Sequence, residues 1–149
     1  MIKKILLAAT AILFLSAVYA QNPVKWSFDA KKKGVNLYEL HLTAEINDPW
    51  HIYSQFTPKG GPLPTSISFV KNPLIIVVGT AKEEGKLQKK HEDVFDLDVK
   101  YYNNQVTFVQ LVKLKKNVKT NISGEISFMV CTDRQCLPPA EVPFSIKLN

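Results

Sequence analysis

The chain has 149 residues, a length that fits one domain and not two. Its formal net charge of +6 includes Lys3 and Lys4, and the other basic residues are scattered or sit in short runs, Lys31-Lys32-Lys33, Lys89-Lys90 and Lys115-Lys116. Such runs could form a nucleic-acid or anionic-membrane patch, but no aromatics interleave with them as they would in a single-strand groove, so they read as solvated turns and no nucleic-acid partner is expected.

Residues 1–20 read MIKKILLAATAILFLSAVYA. Lys3 and Lys4 make a positive start, Ile5 to Leu15 an apolar stretch, and Val18-Tyr19-Ala20 a site of the kind signal peptidase reads. The apolar run is shorter than the ~20 residues of a membrane span. No cysteine follows Ala20, which excludes a lipoprotein at this site. The expected organisation is a signal peptide over 1–20 and one domain over 21–149, exported to the periplasm and soluble there.

From Val24 onward apolar residues recur mainly with a period of two. Val24, Trp26 and Phe28 alternate with polar residues, and Lys31 to Gly34 form a turn. Leu40, Leu42, Ala44 and Ile46 alternate with His41, Thr43 and Glu45, the pattern of a half-buried strand. Asn47-Asp48-Pro49 breaks it, and Trp50 to Tyr53 resumes an extended segment. Pro58 to Pro64 is a loop. Thr65 to Val70 alternates again, and Leu74 to Val78 is a short β-branched run. Ala81 to Asp93 is charged and weakly periodic, and reads as a long connection, with Glu83-Glu84 and Glu92-Asp93 as solvated carboxylates. Val99 to Tyr102 and Gln105 to Val112 predict a β-hairpin turning at Asn103-Asn104. Ile122 to Cys131 is one strand, with Ile126, Phe128 and Val130 on one face and Ser127, Met129 and Cys131 on the other. Phe144, Ile146 and Leu148 alternate to the end. Many short strands with regular turn signals and no convincing helix predict an all-β fold, an immunoglobulin-like antiparallel β-sandwich.

Beyond residue 20 the only cysteines are Cys131 and Cys136, at either end of CTDRQC. An oxidising compartment permits a disulfide between them. In an exported protein a disulfide is most often a structural staple. Here the closed loop is small, worth only roughly 2 kcal/mol of chain entropy against ~3 for a 15-residue loop. The loop is also polar, so partner thiols should reach it. Arg134 favours a nearby thiolate and Asp133 opposes it. Pro138 and Pro139 stiffen the exit.

Other chemistries find less support. His41, His51 and His91 are far apart, no zinc-type spacing is present, and no cofactor is expected. Met129 with the two thiols offers a soft-metal alternative for copper(I). Hydrolase and phosphate-loop motifs are missing.

The segment Gly124 to Pro139, GEISFMVCTDRQCLPP, resembles the N-terminal periplasmic domain of DsbD, the protein-disulfide reductase. That family has a strand ending in the first redox cysteine, a short loop, the second cysteine, then Pro-Pro. Asp48 to Ser54 (DPWHIYS) is similar to the family's aromatic segment beside the active site, and His91 to Phe95 with Tyr101 to its acidic-aromatic cap. The resemblance implies an immunoglobulin-like fold and a redox pair that takes electrons from a membrane-embedded reductase and passes them to oxidised periplasmic proteins. It implies that Cys136 attacks the partner disulfide and Cys131 resolves. The four-residue spacing is one shorter than in proteobacterial members, which bears on loop geometry.

The expected site is therefore Cys131 and Cys136, shielded or tuned by Phe95, Tyr53, Trp50, Arg134 and Asp133. The expected partners are a separate membrane-embedded thiol reductase as donor and oxidised thioredoxin-like or cysteine-containing proteins as acceptors. A binding or structural module with an inert disulfide is the alternative, and a copper-handling domain the third. The export reading has a direct test: mass spectrometry of the exported protein should find Gln21, or its cyclised form, at the N-terminus, and a mature protein that keeps Lys3 and Lys4 would overturn it.

Overall fold

The computed structural model describes residues 22–93 and 95–149; the expected signal peptide and its cleavage site after Ala20 lie outside the described residues. In chain order the strands are β1 (Val24–Gly34), β2 (Leu37–Ile46), β3 (His51–Tyr53), β4 (Ser66–Phe69), β5 (Ile75–Gly85) and β6 (Gln88–Glu92). They continue with β7 (Leu97–Asn103), β8 (Gln105–Leu114), β9 (Thr120–Phe128), β10 (Val130–Cys131) and β11 (Ala140–Leu148). Three antiparallel sheets result, ordered β1-β2-β8-β5, β11-β9-β4 and β10-β3-β7-β6. The fold is the all-β, immunoglobulin-like architecture that the alternating pattern predicts.

The period of two explains the core. Register places Trp26 opposite Ala44 and Ala44 opposite Val106, and places Phe28, Leu42 and Phe108 in the next row. Even-numbered residues of β1, β2 and β8 thus share one face. Ile122, Ile126 and Phe128 of β9, with Phe144, Ile146 and Leu148 of β11, meet them from the facing sheet. Each fully buried Leu, Ile or Phe in this layer contributes roughly 2 kcal/mol. The third sheet joins the same core through Ile52, Tyr102 and Val130. It sits where β2 and β9 finish, and Ile46 N donates to Asn104 O at 2.7 Å to tie that end together.

Five local expectations change, the first being that Lys31 to Gly34, read as a turn, is the end of β1, paired with Leu37 to Glu39 through a bulge between Lys32 and Gly34. The stretch read as a connection from Ala81 is mostly strand. β5 runs through a bulge between Val78 and Lys82, where Gly79 takes a φ of +66°. The buried Gln110 amide donates to Val78 O at 2.9 Å, satisfying a carbonyl that the bulge takes out of the ladder. Glu83 is not a solvated carboxylate: it accepts from Ser54 Oγ (2.7 Å), Gln55 N (2.7 Å) and Tyr102 Oη (2.8 Å).

The expected hairpin at Asn103-Asn104 does not form. β7 pairs with β3 and β6, and β8 with β2 and β5. Asn104 alone joins them, at a φ of +62°, and one residue is too short for a hairpin loop, so the chain turns a corner into another sheet. Finally, the strand from Ile122 to Cys131 divides at Met129. β9 pairs with β4 and β11, while β10 pairs with β3.

Candidate redox site

The two cysteines close a hairpin. Thr132 N donates to Gln135 O at 2.7 Å, and Leu137 N donates to Val130 O at 3.0 Å. Asp133 and Arg134 form its tip, where Thr132 Oγ1 accepts from both Arg134 N and Gln135 N at 3.2 Å. Between the two hydrogen-bonded pairs, Cys131 and Cys136 face each other as a bridge pair with Cα atoms 4.0 Å apart. Non-hydrogen-bonded antiparallel pairs are the closely spaced ones, so the backbone brings the sulfurs together and a disulfide joins them.

Their surroundings differ. Cys131 is fully buried, whereas Cys136 is exposed. The reason lies in register. β10 pairs with β3 through Val130–Ile52 and Cys131–His51, and β3 pairs with β7 through Tyr53–Tyr101. Alternation then sends Val130, Ile52 and Tyr102 into the main core, and Cys131, His51, Tyr53, Tyr101 and Val99 to the opposite face. There Tyr53, Val99 and Cys131 form a second small core, with Leu97, Tyr101 and Met129 packed at its margin.

His51 is buried beside Cys131 in this layer. Its ring lies edge-on to Tyr53 at 5.3 Å and tilted on Tyr101 at 4.8 Å, and its Nε2 is 3.3 Å from Tyr53 Oη. Burial, reinforced by the positive charge of Lys90, lowers its pKa from 6.5 to about 4 against the opposing pull of Asp133 and Glu92. The imidazole is therefore neutral at pH 7. Burial first, then Glu92, push the Tyr53 phenol up to about 12.

Lys90 braces the hairpin from β6. Its Nζ lies 2.9 Å from Glu92 Oε1 and 3.2 Å from Asp133 Oδ1, and 5.6 Å from the centre of the Tyr101 ring. Burial alone would lower its pKa, but the hydrogen bonds to Glu92 and Asp133 outweigh that and raise it. The Asp133 carboxylate, read from sequence as opposing a thiolate, thus has its charge compensated by Lys90.

A cleft lies on each side of the hairpin. One, of about 440 Å³, places Cys136, Met129, Tyr53, Lys90 and Phe95 on a common wall, with Arg134 at its rim. Phe95 is half exposed, and its ring lies beside Gly61 on the wall of the cleft. The other, of about 630 Å³, is lined by Pro49, Trp50 and residues 132–135. The structure therefore gathers Cys136, Tyr53, Phe95, Arg134 and Asp133 around one cleft, keeps Cys131 buried behind it, and places Trp50 with residues 132–135 on the other cleft. His51, Lys90 and Glu83 join the site only through the fold. The alternations His51-x-Tyr53 and Lys90-x-Glu92 put each pair on one strand face, which was the available signal.

Fold and site together define an immunoglobulin-like domain that presents a half-exposed disulfide on a sheet-edge hairpin. The chain belongs to the family of the N-terminal domain of the thiol:disulfide interchange protein DsbD, whose family model matches residues 18–147. Among solved structures it is similar to the reduced DsbD N-terminal domain of Neisseria meningitidis, at 15% identity and a TM-score of 0.59 over 85% of this chain and 86% of that one. It is similar to a structure of the complex between the DsbD N-terminal and PilB N-terminal domains of the same organism, at 12% identity and a TM-score of 0.58 over 87% of each chain. It also resembles the N-terminal periplasmic domain of ScsB from Proteus mirabilis, at 15% identity and a TM-score of 0.50, covering 84% of this chain and 44% of that one. No curated protein matches in sequence at a significant level.

The neutral, buried His51 makes stability depend on pH. Its folded pKa of about 4 lies below the usual 6.5, so between those values the unfolded chain binds the extra proton. Stability from this group is complete above pH 6.5 and falls as pH drops toward 4, by up to about 3 kcal/mol. Urea unfolding at pH 7 and pH 4.5 should show a loss of stability that is smaller in His51→Asn; equal losses in both proteins would remove His51 as the cause.

Proposed function

We propose that this domain exchanges thiols for disulfides outside the cytoplasm through Cys131 and Cys136. The observation that carries the reading is the unequal burial of the two sulfurs: Cys131 is sealed in the small aromatic core and Cys136 opens onto the cleft. A mere staple would not need one sulfur presented to solvent beside a cleft, and a loop this small yields only roughly 2 kcal/mol.

In the reduced protein the Cys136 thiolate attacks a partner's disulfide. One S–S bond forms between Cys136 and the partner, and the partner's other sulfur leaves as a thiolate. Cys131, after losing its proton, then attacks Cys136 Sγ, closes the Cys131–Cys136 disulfide and releases the partner's second sulfur. Two electrons pass to the partner, whose two thiolates take up the two protons given up by the cysteines. The hairpin keeps the two Cα atoms close in the closed state, and Arg134 shares the cleft with Cys136, while Lys90 there is paired with Glu92 and Asp133. Phe95 and Tyr53 form the wall that an approaching thiol must pass.

The compartment is the periplasm, after removal of residues 1–20. A membrane-embedded thiol reductase would reduce the pair, and oxidised thioredoxin-like or other cysteine-containing proteins would accept its electrons. A relative's structure in complex with another protein domain supports docking of a folded partner on this fold.

The roles of the two sulfurs are separable. Cys131→Ser, expressed in the periplasm, should trap mixed disulfides through Cys136, visible on non-reducing gels. Cys136→Ser should trap few or none. Adducts mainly in Cys136→Ser would reverse the assignment, and adducts in neither would remove the relay.

The cleft wall has its own readout. Phe95→Ala should speed reduction of the disulfide by dithiothreitol several-fold, and an unchanged rate would show that Phe95 does not limit access.

A further inference from the structure

Basic runs that are distant in sequence converge at the end of the sandwich opposite the disulfide. The β1–β2 turn carries Lys31, Lys32 and Lys33 on its approach and Val35 at its tip. Leu114 N donates to Asn36 O at 2.8 Å, which joins the end of β8 to that turn. Lys115 N donates to Leu74 O at 2.9 Å, and Asn72 Nδ2 donates to Asn121 O at 2.9 Å, which adds the β4–β5 loop and the start of β9. These bonds stitch three loops into one surface. Lys113, Lys115, Lys116 and Lys119 lie on it, and Lys71 and Lys147 flank it, all of them exposed. The acidic partner seen there is Glu39, 3.3 Å from Lys33.

Elsewhere the charge is reversed. Asp93, Asp96 and Asp98 gather around His91, and Glu92 and Asp133 pair with Lys90, all beside the redox hairpin. β9 spans the distance between the two ends, roughly 30 Å for nine residues of strand. The domain is therefore electrically polar along its long axis.

Apolar side chains stand among the lysines of this pole. Val35 is 88% exposed at a turn tip, Val70 66% and Val118 38%. Lysines with interspersed exposed aliphatics suit the boundary between headgroups and acyl chains, where cations gain from anionic lipid and short apolar side chains enter the interface. A soluble polyanion would use the lysines and leave the valines in water.

We propose that this pole docks on the anionic phospholipid surface of a membrane, holding the redox hairpin away from the bilayer. The proposal does not rest on the redox reading, since it concerns the other end of the molecule. Each lysine close to an anionic surface raises the partition coefficient about fivefold at modest ionic strength, and salt screens the effect.

The test is co-sedimentation of the folded protein with vesicles of phosphatidylethanolamine containing phosphatidylglycerol, beside vesicles of phosphatidylcholine alone. Binding should be confined to the anionic vesicles and lost in high salt. The triple variant Lys115→Gln, Lys116→Gln, Lys119→Gln should bind roughly 100-fold more weakly on the same estimate. A control that removes equal charge from the other half, Lys82→Gln, Lys86→Gln, Lys89→Gln, should bind nearly as the parent does. Val35→Asp should weaken binding more than Val35→Ala. On vesicles, dithiothreitol should reduce Cys131–Cys136 as fast as in solution. No vesicle binding at low salt, equal losses in the two lysine triples, capture by soluble heparin but not by vesicles, or protection of the disulfide on vesicles would each overturn the proposal.

Discussion

Two residue pairs, Val130 with Ile52 and Cys131 with His51, decide the character of this site. Up to Phe128 the chain belongs to the sheet of β4, β9 and β11; past Met129 it has joined β3. Strand alternation then leaves no freedom. Val130 goes into the main core, and Cys131 goes to the face where Tyr53 and Val99 shelter it. A slip of one residue would exchange them, placing the sulfur in the main core and the valine under the cleft. Burial of Ile52, Tyr102 and Val130 against the sandwich is what holds the register.

Other contacts keep that short sheet in place. β3 has only three residues and β10 two, too few to hold position by backbone pairing alone. Glu83 on β5 compensates, gathering Ser54 and Gln55 after β3 and Tyr102 of β7 onto one carboxylate. Thr65 Oγ1 adds a bond to Tyr53 O at 2.6 Å. Lys90 does a similar task at the surface, bridging Glu92 and the hairpin tip at Asp133. The rigid side of the hairpin is thus the side that holds Cys131, and the exposed Cys136 is followed by Leu137, Pro138 and Pro139, all exposed.

This division of labour suits exchange chemistry. A thiol that meets partners needs access, and a thiol that resolves needs to be close and protected from competitors. As a bridge pair on opposite limbs of one hairpin, the two sulfurs are close together while one is sheltered and the other exposed. The neutral imidazole at His51 adds a polar group beside Cys131 without adding charge there.

Much of this was legible in the amino-acid order. Alternation of Leu40, Leu42, Ala44 and Ile46, and of Phe144, Ile146 and Leu148, determined half-buried strands, because a sheet with one wet face demands a period of two. The cysteine segment carried the resemblance to the family and the expectation of a polar, accessible loop between the two cysteines; the hairpin geometry and the burial of Cys131 came from the fold. What the sequence left undecided was pairing. Asn103-Asn104 looks locally like a hairpin turn, yet β7 and β8 part into different sheets, since the choice of neighbour depends on which buried faces fit. Glu83 looks like a solvated charge until the fold brings Ser54, Gln55 and Tyr102 to it. Lys31 to Lys33 and Lys113 to Lys119 look like separate turns until Asn36, Leu74 and Asn72 stitch their loops together. Local sequence determined the strands whose alternation is clean and the face of each residue in them, because side-chain period is a property of neighbouring residues. Only the tertiary structure decided which strands meet and which charges share a surface, because those follow from packing between segments far apart in the chain.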